Sequence, residues 1–336
     1  MIPLQNEGNS QTGNLRRKRA IVIGGTGFIG FHIVNALLEN GFEVTLVSRS
    51  QKSNLAFDGH ITFVKTDMLA LDIKQWENLF DRQDFVVFAT GADDREIPAK
   101  PATGHFFKFN VNTIDKICQA AKAKGVKDLI ILGSYFSWLA RNKPELELEN
   151  KHPYVRSRIE QSRTALKYAD EQFKVIVLDL PYVFGIYPGK KPMWKPLIKY
   201  VNSGLPFLFY TKGGTAAVSV RQVAKSVVLA VANSVPFGAY PIADYNFTWK
   251  EMLGMMSNKS QPGIVEVPIA MQRFFARFYG FYLNLKGKES GLKPVEFLEI
   301  QNSEIFIPEE ELMPGFQPDE VALKQALAET VESCLG

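Results

Sequence analysis

The sequence predicts an α/β protein built on a doubly wound parallel sheet, with a smaller carboxy-terminal lobe. Three observations predict it. Short, almost unbroken apolar runs alternate with helix-like segments from residue 20 to about residue 180. A glycine-rich turn joins the first run to the first helix. Beyond Pro181 the alternation gives way to chain punctuated by Pro188, Pro192, Pro196 and Pro206 with Gly185, Gly189 and Gly204. The chain divides accordingly into a flexible basic tail (1–19), an α/β domain (20–180) and a lobe (181–336) partly interleaved with it. At 336 residues there is chain enough for about two domains.

The strand candidates are Ala20–Ile23, Glu43–Val47, Ile61–Lys65, Phe85–Phe88, Leu129–Leu132 and Lys174–Leu178. Most lack a polar face, as strands do when helices cover both sides of a sheet. Between them, apolar residues recur at helical spacing in Phe28–Asn40, Asp72–Phe80, Phe106–Lys124 and Tyr154–Ala169. Gly41 and Gly125 follow two of these helices, where a left-handed cap is needed. In the lobe, helical spacing returns at Arg221–Ala232, Trp249–Met256, Ala270–Leu283 and Asp319–Ser333.

Composition removes several functions. The hydrophobic (46%) and charged (22%) fractions are those of a globular chain, not a disordered or fibrous one. No stretch of roughly 18 uncharged apolar residues occurs, so an ordinary membrane-spanning helix is excluded. Net charge is +4, but Arg16, Arg17, Lys18 and Arg19 are consecutive. The other 35 basic and 34 acidic residues leave 20–336 at +1, and nucleic acid is not an expected partner. The polar start, Met1 to Leu15, does not read as a signal peptide. Two cysteines, Cys118 and Cys334, frame no disulfide scaffold, and a cytoplasmic location is expected. The four histidines are scattered, without metal-ligand spacing.

The strongest local signal is Ala20-Ile-Val-Ile-Gly-Gly-Thr-Gly-Phe-Ile-Gly30. A strand runs into Gly25-x-Gly27-x-x-Gly30 and a helix follows at once, the Rossmann dinucleotide turn. Glycine lets backbone N–H groups approach a pyrophosphate, and the positive end of the helix stabilises its charge. An NAD site would carry Asp or Glu at the tip of the second strand. Here that tip reads Val47-Ser48-Arg49-Ser50-Gln51-Lys52, which favours the 2′-phosphate of NADP. Gly185-Ile-Tyr-Pro-Gly189-Lys190 superficially resembles a P-loop, but it is one spacer short and has Lys191 where a Mg²⁺-binding hydroxyl belongs.

With these matches placed, the chain resembles the extended short-chain dehydrogenase/reductases, a superfamily of NAD(P)-dependent reductases, sugar epimerases and dehydratases, over roughly residues 20–235. Gly24, Gly27, Phe28, Ile29 and Gly30 fall in its opening motif, and Asp67 with Met68 stands where the family contacts adenine. Ala89-Thr90-Gly91 matches the lining of the inner ribose, Asn110 a family helix asparagine, and Leu180-Pro181-Tyr-Val183 a later landmark. Gly133-Ser134 resembles the strand end bearing the catalytic serine, although Ser137 in the same loop is a second source of the hydroxyl. Tyr154-Val-Arg-Ser-Arg158 resembles the Tyr-x-x-x-Lys helix, with arginine in place of lysine. The resemblance implies Tyr154 as general acid/base, Ser134 on the substrate oxygen, and Arg158 on the nicotinamide ribose. It also implies a homodimer through Phe106–Lys124 and Tyr154–Ala169.

No acid flanks Ser134, unlike in the dehydratases, and Arg49 sits poorly with the tight NAD of epimerases. The expectation is an NADPH-dependent reductase of a small apolar or aromatic carbonyl, nearest in flavour to dihydroflavonol-reductase-like members. Two alternatives stay open: a sugar-nucleotide epimerase, or a non-catalytic NADP-binding sensor or partner-binding protein in which Arg158 marks lost turnover. Met271-Gln-Arg-Phe-Phe-Ala-Arg-Phe-Tyr-Gly-Phe-Tyr-Leu283 is expected to pack in the core. It can alternatively line an apolar pocket or lie on a membrane surface with Arg273 and Arg277 at the headgroups.

Overall fold

The structure, a computed structural model, describes residues 17–50, 55–57, 59–232, 235–258 and 263–336. Most of the basic tail therefore lies outside the described residues, as do Gln51 and Lys52. In chain order the strands are β1 (Arg19–Ile23), β2 (Glu43–Ser48), β3 (Ile61–Lys65), β4 (Phe85–Phe88), β5 (Asp128–Leu132), β6 (Lys174–Asp179) and β7 (Tyr182–Phe184). They continue with β8 (Phe207–Tyr210), β9 (Gly214–Ser219), β10 (Gly238–Pro241), β11 (Tyr245–Thr248), β12 (Gly263–Glu266) and β13 (Glu304–Ile305).

Seven strands form one parallel sheet in the order β10-β6-β5-β4-β1-β2-β3. Residues of alternate parity face opposite layers. Ala20, Val22, Val44, Leu46, Val87 and Ile130 pack beneath Ile33, Val34 and Leu37 of the helix Phe28–Glu39 and Val223 and Val227 of the helix Val220–Ala232. Ile21, Ile23, Val86, Phe88 and Ile131 pack against Trp76 and Phe80 of the helix Ile73–Phe80 and Ile114 and Ile117 of the helix Asn112–Ala123. Burial on both faces is why these strands read as continuous apolar runs. The order reverses between β1 and β4, so the chain leaves their carboxyl ends in opposite directions and opens a crevice there.

The chain beyond Pro181 serves both parts. Its helix Val220–Ala232 and strand β10 return to the main sheet. The remainder builds a second layer, in which β9 pairs with β7, β11 and β13, beside a parallel ribbon of β8 and β12. Phe184, Phe247, Trp249, Leu323 and Leu327 form its core.

The structure differs from the sequence reading in three places. The helix expected over Phe106–Lys124 is two, Ala102–Asn110 and Asn112–Ala123, broken at Val111 without proline or glycine. The aromatic stretch after Ser134 is not a loop but the helix Tyr135–Asn142, with Ser134 at its N-cap position. The helix Ile269–Leu285 is not packed in the core: only Gln272 and Leu283 are buried, and its phenylalanines face solvent.

Candidate active site

The glycine turn is shaped by close approach. Gly24 has φ +89°, and a side chain there would meet the Ala89 carbonyl oxygen at 2.6 Å. A Cβ on Gly30 would lie 2.3 Å from the Gly24 carbonyl oxygen, so only glycine lets the helix start this close to β1. Gly27 is different. It is the N-cap of the helix, no side chain caps that terminus, and a Cβ there would meet only the Gly24 oxygen, at 3.1 Å. Gly27, Phe28 and Ile29 instead line the crevice, leaving the first backbone N–H groups available for an anion.

The crevice has two halves that share Gly27, Ala89, Thr90 and Gly91. One, of about 450 Å³, is bordered by Gly24, Ser48, Arg49, Ser50, Asp67, Met68 and Lys190. Thr26 and Ser48 hydroxyls hydrogen-bond at 2.6 Å across its floor. Asp67 accepts from the Leu69 N–H at 3.1 Å, which fixes the turn after β3. The other half, of about 330 Å³, is bordered by Ser134, Tyr135, Phe136, Tyr154, Arg158, Pro181, Tyr182, Val183, Met193 and Trp194, together with Asp93, Asp94 and Arg95. A larger hollow of about 630 Å³ lies at the amino ends of β1 and β2, around Arg17, Gly41 and His60, the wrong end of a parallel sheet for a dinucleotide.

Three groups meet in the second half. Ser134 stands two residues past the end of β5 and lines this half together with Tyr154, which sits at the start of the helix Pro153–Leu166. Burial raises the tyrosine pKa, while the Arg158 charge and the nearby Ser134 hydroxyl oppose the rise. The Arg158 guanidinium lies 6.0 Å from the Tyr154 ring centroid and donates through Nη2 to the Leu132 carbonyl. Its Nε is buried without a protein partner and its Nη1 faces Gly91. The helix spacing of four residues puts Tyr154 and Arg158 on one face.

Asn110 stands apart from the crevice. It is fully buried, accepts from the Ala92 N–H at 2.9 Å, and donates to the Ser157 hydroxyl at 3.0 Å, holding the chain after Gly91 against the tyrosine helix. Ser137 is buried in the core and lines neither half, whereas Ser134 lines the second.

Two residues of the crevice escape the sequence reading. Asp94, half-buried, stands beside Tyr154 with its pKa raised by burial and by Asp93, against the pull of Arg95 and Arg158. Its signal is an acidic run directly after a strand end, Asp93-Asp94-Arg95-Glu96. Lys190 reaches the other half because Tyr187, bonded to the Thr26 carbonyl at 2.5 Å, pins its loop over the glycine turn. The P-loop-like glycine–lysine run is its signal.

The cleft meets the requirements of a nicotinamide dinucleotide: a side-chain-free cradle at Gly27, an uncapped helix start, and a buried guanidinium nitrogen still to be satisfied. The family model for the NAD dependent epimerase/dehydratase family matches residues 20–243, two thirds of the chain. The chain belongs to that family. It is an α/β protein with the fold of the solved structures it resembles. An uncharacterised chloroplastic protein of Arabidopsis thaliana is 28% identical over 155 residues, 42% of this chain and 48% of its own length, so the chain spans about half of that relative. Among solved structures, gox2253 superposes with a TM-score of 0.73 at 18% identity over 94% of this chain and 98% of its own. The UDP-glucose 4-epimerase of Thermus thermophilus, solved with NAD, gives 0.64 at 18% identity over 95% and 99%. The UDP-N-acetylglucosamine 4-epimerase of Methanobrevibacter ruminantium, solved with UDP-N-acetylmuramic acid, gives 0.66 at 18% over 95% and 98%. At such identities the likeness is one of fold, and among the described residues no group of side chains could hold a metal.

Proposed function

We propose that this epimerase/dehydratase-family protein is an NADPH-dependent reductase of a small apolar or aromatic carbonyl compound. The observation that carries the reading is the Ser134–Tyr154 hydroxyl pair beside the Arg158 guanidinium, at the carboxyl end of β5. Glycine-turn amides at Gly27, Phe28 and Ile29 hold the pyrophosphate, and Ser48, Arg49 and Lys190 supply donors for a 2′-phosphate with no acid at the tip of β2. The nicotinamide, when bound, supplies the hydride. Ser134 donates a hydrogen bond to the carbonyl oxygen and orients it. Tyr154 gives that oxygen its proton, and burial keeps the phenol protonated at neutral pH, the state that reduction requires. Arg158 stabilises the phenolate left behind. Phe136, Tyr182, Met193 and Trp194 make the remaining wall apolar. The family resemblance supports a homodimer formed through Phe106–Lys124 and Tyr154–Ala169.

A second reading, sugar-nucleotide epimerisation, is favoured by the epimerases among the structural neighbours. The apolar wall of Phe136, Tyr182, Met193 and Trp194 supports it less.

Fluorescence titration of the purified protein with NADPH and NADH, followed by a carbonyl panel in the same cuvette, tests both. Preferential NADPH binding with oxidation by an aromatic or aliphatic carbonyl is expected. Preference for NADH, with interconversion of a UDP-sugar and no net oxidation, would replace the reductase by the epimerase. NADPH binding without turnover on any carbonyl would leave a sensor.

A further inference from the structure

The helix Ile269–Leu285 inverts the usual amphipathic arrangement. Successive residues turn by about 100°. Gln272, Ala276, Gly280 and Leu283 therefore share the stripe that rests on the protein, and they are buried or half-buried. On the opposite stripe Phe274, Phe278, Phe281 and Leu285 are 67%, 66%, 59% and 69% exposed. Met271, Phe275, Tyr279 and Tyr282 widen the outward face, which carries no charge until the helix end, where the Lys286 ammonium lies 5.9 Å from the centre of the Tyr282 ring. The β8–β12 ribbon leads into this helix through Val267 and Pro268, and on it Phe207, Phe209 and Val265 also face solvent, Phe209 paired opposite Val265. Such a patch of large side chains is far beyond the scattered exposed apolar residues of an ordinary monomer.

Charge indicates what covers it. The helix contains no acidic residue. Arg273 and Arg277 run along one edge of the apolar face, and beyond them lies a hollow of about 370 Å³ lined by Lys100, Arg277, Lys288 and Lys293. Two carboxylates border the same hollow. Glu289 accepts from the Ala102 N–H at 2.8 Å, and Glu296 lies on the neighbouring helix Pro294–Gln301. An apolar face about 25 Å long, edged on one side by cations, is the pattern of a helix lying in a lipid–water interface. A second copy fits less well. An antiparallel two-fold pairing would set Arg273 and Arg277 of one helix beside those of the other, with no helix carboxylate to offset them.

We propose that the outward face of Ile269–Leu285, with Phe207 and Phe209, docks the protein on the surface of an anionic lipid bilayer, its phenylalanines among the acyl chains and Arg273, Arg277 and Lys288 at the headgroup phosphates. This proposal is independent of the reaction catalysed.

The test is flotation of the full-length protein with vesicles of phosphatidylcholine alone and of phosphatidylcholine with phosphatidylglycerol. The protein floats with the mixed vesicles. Phe274→Ser/Phe278→Ser/Phe281→Ser lowers the bound fraction at least tenfold with unchanged circular dichroism, since all three side chains are exposed. Arg273→Gln/Arg277→Gln removes the preference for phosphatidylglycerol and retains some binding. Removing residues 1–16, which hold one of the four consecutive bases, leaves flotation intact. Four results would each overturn the proposal: no flotation with either vesicle, wild-type flotation by the triple variant, loss of flotation only with residues 1–16, or a dimer in sedimentation equilibrium that the triple variant dissolves.

Discussion

At the scale of single residues, the proposed chemistry turns on the groups that share a low-dielectric corner with Tyr154. Replacing it with Phe removes the proton donor and keeps the ring, so turnover falls about 10²–10⁴-fold while NADPH still titrates normally. Equal losses of binding and turnover would instead make the tyrosine a packing residue. Asp94 acts through the same phenol. Its charge is one of the causes that hold the Tyr154 pKa up, alongside burial. Asp94→Asn removes that charge, so the phenol ionises at lower pH and the alkaline fall in carbonyl reduction moves to lower pH. An unmoved alkaline limb would show that Asp94 does not sense Tyr154. Arg158 was legible only as a departure from lysine, because no sequence pattern tells where a guanidinium fork is anchored. In the structure one end is tied to Leu132, and its charge still opposes the rise in the tyrosine pKa.

At the scale of elements, the glycine turn separates fold from ligand. Gly30→Ala must push the helix off the turn, because the new Cβ would sit 2.3 Å from the Gly24 oxygen and 2.8 Å from Gly25 Cα. A cost of about 1–3 kcal/mol is expected, seen as a lowered Tm without cofactor. Gly27→Ala meets one atom at 3.1 Å and points its methyl at the phosphate cradle, so Tm holds while NADPH affinity drops. Thermal melts with and without NADPH distinguish the two. The turn was readable because backbone geometry demanded one residue type at fixed spacing, and the sheet strands because double-sided burial wrote continuous apolar runs. The break at Val111 was not readable. Asn110, the last residue of the first helix, bonds Ala92 and Ser157, distant in sequence, and such tertiary partners leave no trace in the local pattern. The helix Tyr135–Asn142 was hidden for a related reason. Its Tyr135, Phe136, Ser137, Trp138 and Leu139 are all buried, leaving no polar stripe to reveal a period. The outward phenylalanines of Ile269–Leu285 have the correct helical period but the opposite orientation, which periodicity alone does not encode.

At the scale of the molecule, the helix Pro153–Leu166 that carries Tyr154 is held by the segment that follows Ile269–Leu285. Gly291 accepts from the Tyr154 N–H at 3.0 Å, and Lys293 N–H donates to His152 Nδ1 at 3.0 Å. His152 is completely buried, and burial, assisted by Lys151 and Lys293, lowers its pKa from 6.5 to about 4. The unfolded chain therefore takes up a proton between about pH 6.5 and 4 that the folded chain refuses. Its contribution to stability is complete above pH 6.5 and is lost as pH falls toward 4. Asp179, buried and paired with Arg141 at 2.7 Å, works in the other direction. Its pKa is raised to about 6 by burial, so its folded form binds the extra proton and stability falls as pH rises from about 4 to 6. Because the two oppose each other, the net pH profile of the wild type hides both, and a variant is needed to separate them. His152→Gln keeps an acceptor for the Lys293 N–H and cannot titrate. From pH 7 to pH 5 the wild type should lose about 2 kcal/mol relative to this variant in urea unfolding. Parallel profiles would mean that His152 is protonated in the fold, and the joint between the tyrosine helix and residues 291–293 would then have to rest on the Tyr154–Gly291 bond alone.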